Sequence, residues 1–326
     1  MACYHPISGY EKQDGSFTYN PRYGLRPMTI ACQGCVGCRL ARAGGWSVRG
    51  THESSLYLDN CFITLTFDDK LLPTRPSGHI PANVGLYYPD FQGFMYRLRE
   101  KYGAGIRFMV CGEYGDKLGR PHYHAILFNF NFPDRKKWYR SKQGHQVYTS
   151  ESLTRLWGFG NCDLGSVTPQ SISYVARYVM KKVNGKLADQ HYEYIDKETG
   201  EIFWRNPEQA GYSLRPGIGA DWFKRFHASV YPHDYVIFNG KKVRPPRYYD
   251  KLYAKMTGQQ FHREIRLNDG RLAGFDIREF SSAFDEIKLT RIESLQKCLD
   301  DQSPERLLVR EQVALAKVNS LKRKLT

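Results

Sequence analysis

The stretch IRFMVCGEYGDKLGRPHYHAILF (residues 106–128) decides how this chain is read. IRFMVCGEYG is apolar and strand-like, DKLG is a turn signal, and RPHYHAILF returns with strand character, so the stretch predicts a β-hairpin. Side chains of a strand alternate between its two faces. His122 and His124 therefore point one way, and Tyr123, Ala125 and Leu127 the other. Two imidazoles side by side are either a solvated or hydrogen-bonded pair or two ligands of a metal ion. Glu113, just before the turn on the partner strand, joins them only if the register sets it opposite a histidine; a slip of one residue would aim it away. Two imidazoles and a carboxylate suit Mg²⁺, Mn²⁺ or a similar divalent ion and leave positions open for water and a phosphate oxygen. Such an ion polarises a phosphoryl oxygen and orients a substrate.

The rest of the composition narrows the partner. Lys and Arg number 48 against 33 Asp and Glu, a formal charge of +15, so a polyanion is expected and nucleic acid comes first. The 23 Tyr, 18 Phe and 5 Trp mixed with these cations suit stacking on single-stranded bases as well as an ordinary core. No apolar run approaches the roughly 20 residues of a membrane helix. MACYHPISGY lacks the basic and apolar regions of a signal peptide. The expectation is a cytoplasmic protein without a membrane partner, in which the eight cysteines are not a disulfide framework.

Along the 326 residues, strands and helices alternate without the rhythm of a doubly wound sheet, which predicts an α+β core. Residues 1–54 form a Cys-rich element and a basic helix, CQGCVGCRLARAGGWSVRGTHESSLY, loosened at Gly44–Gly45. The core, 55–185, holds CFITLTF as a strand and PDFQGFMYRLREKYG as a helix capped by Asp90 and ended by Gly103. It also holds the hairpin and a short helix behind the Ser/Thr caps of YTSESLTRLWGFG. Residues 186–220 read as a polar loop or insertion, and 221–326 as a helical extension.

TPQSISYVARYVMKKVNG predicts a helix with a Pro and Ser start and an apolar stripe of Ile172, Val175, Ala176, Val179 and Val183. Tyr174 and Tyr178 are neighbours one turn apart, off that stripe, with Lys181 between them in angle. An amphipathic surface helix explains such a pair; so does chemistry. A phenol beside an ammonium ionises more easily, and a phenolate is a competent nucleophile. With a metal gripping a phosphate, attack by a tyrosine would leave a 5′-phosphotyrosyl link and a free 3′-hydroxyl. A second tyrosine would permit another nick while the first link holds.

Cys32, Cys35 and Cys38 are spaced C-x₂-C-x₂-C. Three thiolates at this spacing suit a structural Zn²⁺, which wants a fourth ligand, Cys3 first and His5 second. An iron–sulfur cluster and simple buried thiols remain alternatives. Cys61, Cys111, Cys162 and Cys298 are scattered and read as small core residues.

Taken in order, FITLTF, GRPHYHAILF and YVARYVMKK resemble the three motifs of rolling-circle replication initiators, the HUH endonucleases with two tyrosines. CYHPISGY, CQGCVGCR, CGEYGDKLGRPHYHAILF and PPRYYDKLY are similar to the initiators of gokushovirus-type microviruses, small single-stranded DNA phages. The resemblance runs from near residue 1 to about 255. It implies an HUH core with a mostly antiparallel central sheet like that of RNA-recognition domains, flanked by helices. It implies His122, His124 and Glu113 as ligands of a catalytic divalent metal. It implies Tyr174 and Tyr178 as nucleophiles, Lys181 or Lys182 as the motif lysine, and origin single-stranded DNA as substrate. The setting would be the cytoplasm of a bacterial host, with its replication helicase or polymerase as further partners. The family usually carries a bulky apolar residue between the histidines; Tyr123 departs from that and is expected to pack on the opposite face. Two other readings stay open. A non-catalytic nucleic-acid-binding module would not need the histidines and Tyr178 together. A relaxase or transposase would share the chemistry but lacks a reason for the tyrosine pair.

Overall fold

The computed structural model describes residues 3–13, 16–73, 81, 84–115, 119–141, 143–177, 188–196, 199–231, 233–257, 264–266, 272–275, 287, 290–291, 293–294 and 303–325. It divides into two compact units, Met1–Gly45 with Phe223–Thr326, and Trp46–Trp222.

In chain order, β1 (Ile7–Glu11), β2 (Phe17–Thr18) and β3 (Arg26–Ile30) make a small antiparallel sheet. Helix α1 follows over Val36–Ser54. It does not break at Gly44–Gly45 as expected. A glycine costs a helix only about 0.5–1 kcal/mol, and the hydrogen-bonded turns on both sides carry α1 through. Next come β4 (Asn60–Thr66), α2 (Tyr88–Tyr102), β5 (Arg107–Tyr114), β6 (Pro121–Phe128), β7 (Lys136–Arg140) and β8 (Gln146–Thr149). Then follow α3 (Glu151–Trp157), β9 (Cys162–Ser166), α4 (Pro169–Arg177), α5 (Ala188–Tyr192), β10 (Glu193–Ile195), β11 (Ile202–Trp204) and β12 (Gln209–Tyr212).

The fold is α+β. A seven-stranded sheet in the order β12-β5-β6-β4-β9-β8-β7 is antiparallel at every pairing. One face buries Ile63, Leu65, Tyr123, Ala125 and Leu127 against Phe91, Phe94 and Leu98 of α2 and Leu153 and Trp157 of α3. The other buries Met109, Cys111, Ile126 and Phe128 against Ile172, Val175 and Ala176 of α4. Gly50 of α1 enters this second layer: a Cβ there would lie 2.6 Å from Ile172 Cγ2 and 2.8 Å from Met109 Sδ.

The helix ends follow local chemistry, with one correction. Asp90 does not cap α2; the cap position is Tyr87, without a side-chain bond, and Pro89 sits in the first turn, where its fixed φ suits a helix start. Asp90 lies one residue later, still in the first turn, where a carboxylate favours the helix dipole. Gly103 ends the helix at φ 102°, a conformation open to glycine. Ser150 caps α3 by accepting from the Leu153 N–H at 3.1 Å.

The segment 186–220 is more ordered than its polarity suggests. Residues 209–212 form β12, an edge strand on β5, in place of loop. Four residues, QAGY, are too few to carry a period, and Gly211 breaks the pattern because a Cβ there would meet Tyr88 Oη at 2.2 Å.

In the other unit, α6 (Ala220–Val230, from Phe223 on) and α7 (Arg247–Met256) pack through aromatic rings. Phe223 stacks on Tyr249 at 4.9 Å and Tyr231 on Tyr253 at 4.3 Å. Arg291 pairs with both Asp234 and Asp250. The helix Pro304–Leu325 lies within the expected helical C-terminal region. Among the described residues no helix is long and apolar enough to cross a membrane.

Candidate active site and metal centres

The register left open by the sequence falls on the productive side: Glu113 of β5 lies directly opposite His122 of β6, and Cys111 opposite His124. Glu113, His122 and His124 share one face, and their ligand atoms all lie within 4.8 Å of one another. Glu113 Oε1 is 2.7 Å from His122 Nε2 and 3.0 Å from His124 Nε2. Two ligands held at right angles about 2.1 Å from an ion lie about 3.0 Å apart, so these separations match an octahedral edge.

Polar neighbours behind the ligands orient the rings. His122 Nδ1 is 3.2 Å from the Arg120 carbonyl oxygen, and His124 Nδ1 is 3.1 Å from Thr64 Oγ1. A carbonyl only accepts, so His122 must donate through Nδ1. In the neutral ring that turns the Nε2 lone pair toward a carboxylate oxygen 2.7 Å away. Two electron-rich atoms tolerate that approach only with a cation or proton between them. The donor set thus fits a divalent metal on the structure's own geometry. Burial pushes the Glu113 carboxyl up, but hydrogen bonds and charge from the two imidazoles outweigh it and hold the group far below the ordinary carboxylate range.

Tyr174 reaches the same point from α4. Thr168 and Ser171 start this helix reciprocally, the Thr168 N–H donating to Ser171 Oγ at 2.9 Å and the Ser171 N–H to Thr168 Oγ1 at 3.1 Å. Ile172, Val175 and Ala176 pin the helix to the sheet. Tyr174, off that stripe and half-buried, donates its hydroxyl to Glu113 Oε1 at 3.3 Å. Its ring stands edge-on to His124 at 5.2 Å, and Phe62 stacks on His124 at 5.6 Å. Tyr178, Lys181 and Lys182 lie outside the described residues.

Tyr123, between the histidines, packs on the opposite face at 1% exposure. Its hydroxyl donates to the Tyr87 carbonyl at 2.8 Å and accepts the Tyr87 N–H at 3.0 Å, so the phenol is satisfied in the core. Thr64 and Phe62 were missed by sequence reasoning. Their signal is the alternation in FITLTF, which turns both toward the histidine face once β4 pairs with β6.

The second cluster lies in the other unit. Cys3, Cys32, Cys35 and Cys38 gather their sulfurs within 4.8 Å. The separations are 3.9 Å for Cys32–Cys38 and 4.0 Å for Cys3–Cys35. Tetrahedral ligands about 2.3 Å from zinc lie about 3.8 Å apart, so the set fits one ion. Backbone N–H groups of Cys32, Tyr4, Cys35 and Cys38 donate to the sulfurs of Cys3, Cys35, Cys32 and Cys35. Burial pushes the Cys35 thiol up, yet these N–H groups and its neighbours bring it down to about 6. Burial raises Cys3 and Cys38. His5, the second choice for a fourth ligand, is instead 2.7 Å from Glu311. Cys61, Cys111 and Cys162 are buried free thiols; Cys298 lies outside the described residues.

Comparison with known proteins agrees with this site. The family profile described as replication-associated protein ORF2 matches residues 60–183, which contain every ligand of the sheet cluster. Replication-associated protein VP4 of Bdellovibrio phage phiMH2K is 34% identical over 86% of this chain and 86% of its own length. Replication-associated protein ORF2 of Spiroplasma virus 4 is 29% identical over 80% and 83%. Replication-associated protein ORF4 of Chlamydia phage 1 is 30% identical over 71% of this chain and 55% of its own. No solved structure matches.

Proposed function

The chain belongs to the replication-associated proteins of small phages, and from that premise we propose that it starts rolling-circle replication as a site-specific single-strand DNA nickase and strand transferase. The observation that carries this reading is the convergence of Tyr174 Oη on the oxygen of Glu113 that both imidazoles share. The function needs a nucleophile beside a phosphate-gripping site, and a non-catalytic module needs neither.

Tyr174 Oη attacks the scissile phosphorus, the bond to the 3′ oxygen breaks, and a 5′-phosphotyrosine forms. The phenolic proton leaves to solvent and the 3′ oxygen takes one up. Glu113, held well below the ordinary carboxylate range, is a poor base; it orients the phenol. Mg²⁺ or Mn²⁺ held by Glu113, His122 and His124 would polarise the phosphoryl oxygen and neutralise its charge. Arg120 and Thr64 keep the two imidazoles in ligating orientation. Tyr178 is the second nucleophile of this scheme, and Lys181 or Lys182 offsets negative charge. A second attack by the free 3′-hydroxyl, or by the other tyrosine, reseals or transfers the strand without external energy.

We assign the chemistry to the core around 55–185. The cysteine set holds a structural Zn²⁺ that ties the N-terminus to α1. An iron–sulfur cage would interpose its own atoms and hold the four sulfurs farther apart. Origin single-stranded DNA is the substrate, the bacterial host's cytoplasm the setting, and its helicase or polymerase the next partner.

The test is a covalent adduct. With origin single strand and Mn²⁺, the protein is expected to give a protein–DNA species that chelator prevents. The double variant Tyr174→Phe/Tyr178→Phe is expected to give none, and an adduct persisting there overturns the assignment.

A further inference from the structure

The sheet continues well past the metal site. On the histidine face, cross-strand partners run from His124 through Thr64 to Asp163, and from Phe62 through Gly165 to Val147. Helix α4 packs over β5 and β6. Thr64, Asp163, Gly165 and Val147 stay half-buried, while Leu65 and Leu164 on the opposite face are buried. Beyond them lies the edge strand β7, KKWYR, exposed at all five positions.

Two features set this edge apart. Trp138 is 61% exposed and Tyr139 45%. Consecutive residues of a regular strand point to opposite faces. Here a register irregularity between Lys137 and Arg140 interrupts the alternation. The two rings meet edge to face, centroids 4.9 Å apart at 80°. After burial, the charge of Asp163 raises the Tyr139 phenol, so Tyr139 lies near the histidine side of the sheet. Lys136, Lys137 and Arg140 flank the pair, and no described carboxylate forms an ion pair with them. Lysines alone would read as protection of an open edge against pairing. Two aromatic rings held in water serve no such end, since they add exposed apolar surface where edge protection removes it.

We infer that β7 is a stacking platform for the single strand running to or from the metal site, with Trp138 and Tyr139 under bases and Lys136, Lys137 and Arg140 on phosphates. The inference rests on the nickase reading. Aromatic faces with interleaved cations bind single strands with little sequence preference, because every base offers a π-face. Four inter-strand steps of about 4.8 Å separate β7 from β6, about 19 Å along the sheet. A few nucleotides of extended strand span that gap. A duplex would hide its base faces and leave the aromatic pair unused.

The experiment uses the full chain and a fluorescein-labelled oligothymidine of about 16 nucleotides. Trp138→Ala/Tyr139→Ala is expected to weaken binding at least about tenfold. Lys136→Gln/Lys137→Gln/Arg140→Gln is expected to flatten the slope of log affinity against log salt by about 2, from about 0.7 per lost phosphate contact. These side chains are exposed, so the thermal transition should stay in place. Unchanged affinity and slope overturn the platform. An equal loss for duplex DNA also overturns it, leaving only a general polyanion surface. Binding needs no cleavage, so the readout separates the two ideas. Normal binding by these variants with a chelator-sensitive adduct sinks the platform alone; an adduct surviving Tyr174→Phe/Tyr178→Phe sinks the nickase alone.

Discussion

The two ligand clusters are built on opposite principles. The cysteine set draws three of its four members from residues 32–38, and the turn leading into α1 brings their sulfurs together. The sheet cluster takes Glu113 from one strand and His122 and His124 from the next, and its nucleophile from a helix about fifty positions on. The first satisfies its sulfurs with backbone N–H groups and has four donors for a four-coordinate ion. The second has three hard donors, so an octahedral ion would keep positions for a phosphate beside a phenol. A closed site stabilises a fold; an open one serves chemistry.

The widest gap between the two should appear on losing ligands. His122→Ala/His124→Ala is expected to lower nicking about a thousandfold, the loss of several kcal/mol of charge stabilisation, while oligothymidine binding survives. Binding lost in parallel would mean that the histidines organise the fold instead.

Removing metal sharpens the contrast. After chelation, added Mn²⁺ alone should restore nicking, and about one zinc per chain should be found in the untreated protein and markedly less in Cys35→Ser. Zinc content unchanged in that variant would put the metal elsewhere. The pH dependence has a defined sign. Cys35 falls from its ordinary 9.0 to about 6 in the fold. Its stabilisation of the metal-free protein is therefore complete above about 9 and lost as pH falls toward 6. Cys3 and Cys38, raised in the fold, oppose it once the unfolded thiols ionise. Thermal melts of metal-free protein between these limits check the direction, with Cys35→Ser as the flat control.

Thr64→Val probes the support behind one imidazole. Losing the partner of His124 Nδ1 should cost about 10- to 100-fold in metal affinity, read as a higher Mn²⁺ requirement for nicking. Smallest is Gly50→Ala. Its methyl would press on Ile172 and Met109, costing about 1–3 kcal/mol in a denaturant melt and easing α4, which carries Tyr174, off the sheet. An unchanged melt would mean that α1 yields at no cost.

Much of this was legible before any fold was known, and for identifiable reasons. Alternation along PHYHAILF puts both histidines on one face without reference to any neighbour. Tight spacing names the three cysteines, and Ser150 and Gly103 mark helix ends through chemistry confined to a turn. The edge strands were not legible: QAGY in β12 and KKWYR in β7 are short, and no period separates them from loop. Asp90 misled because a good capping residue stood two positions inside a helix that Pro89 had already begun.

The amino-acid order alone determined which side chains carry chemistry and which face of each element they share, since periodicity is a property of the local backbone. Only the tertiary structure decided that Glu113 stands opposite His122, that Thr64 holds His124, and that the Tyr174 hydroxyl meets that carboxylate. Register and helix docking are set by the packing of two buried layers, on residues far apart in the chain, and no local pattern encodes that sum.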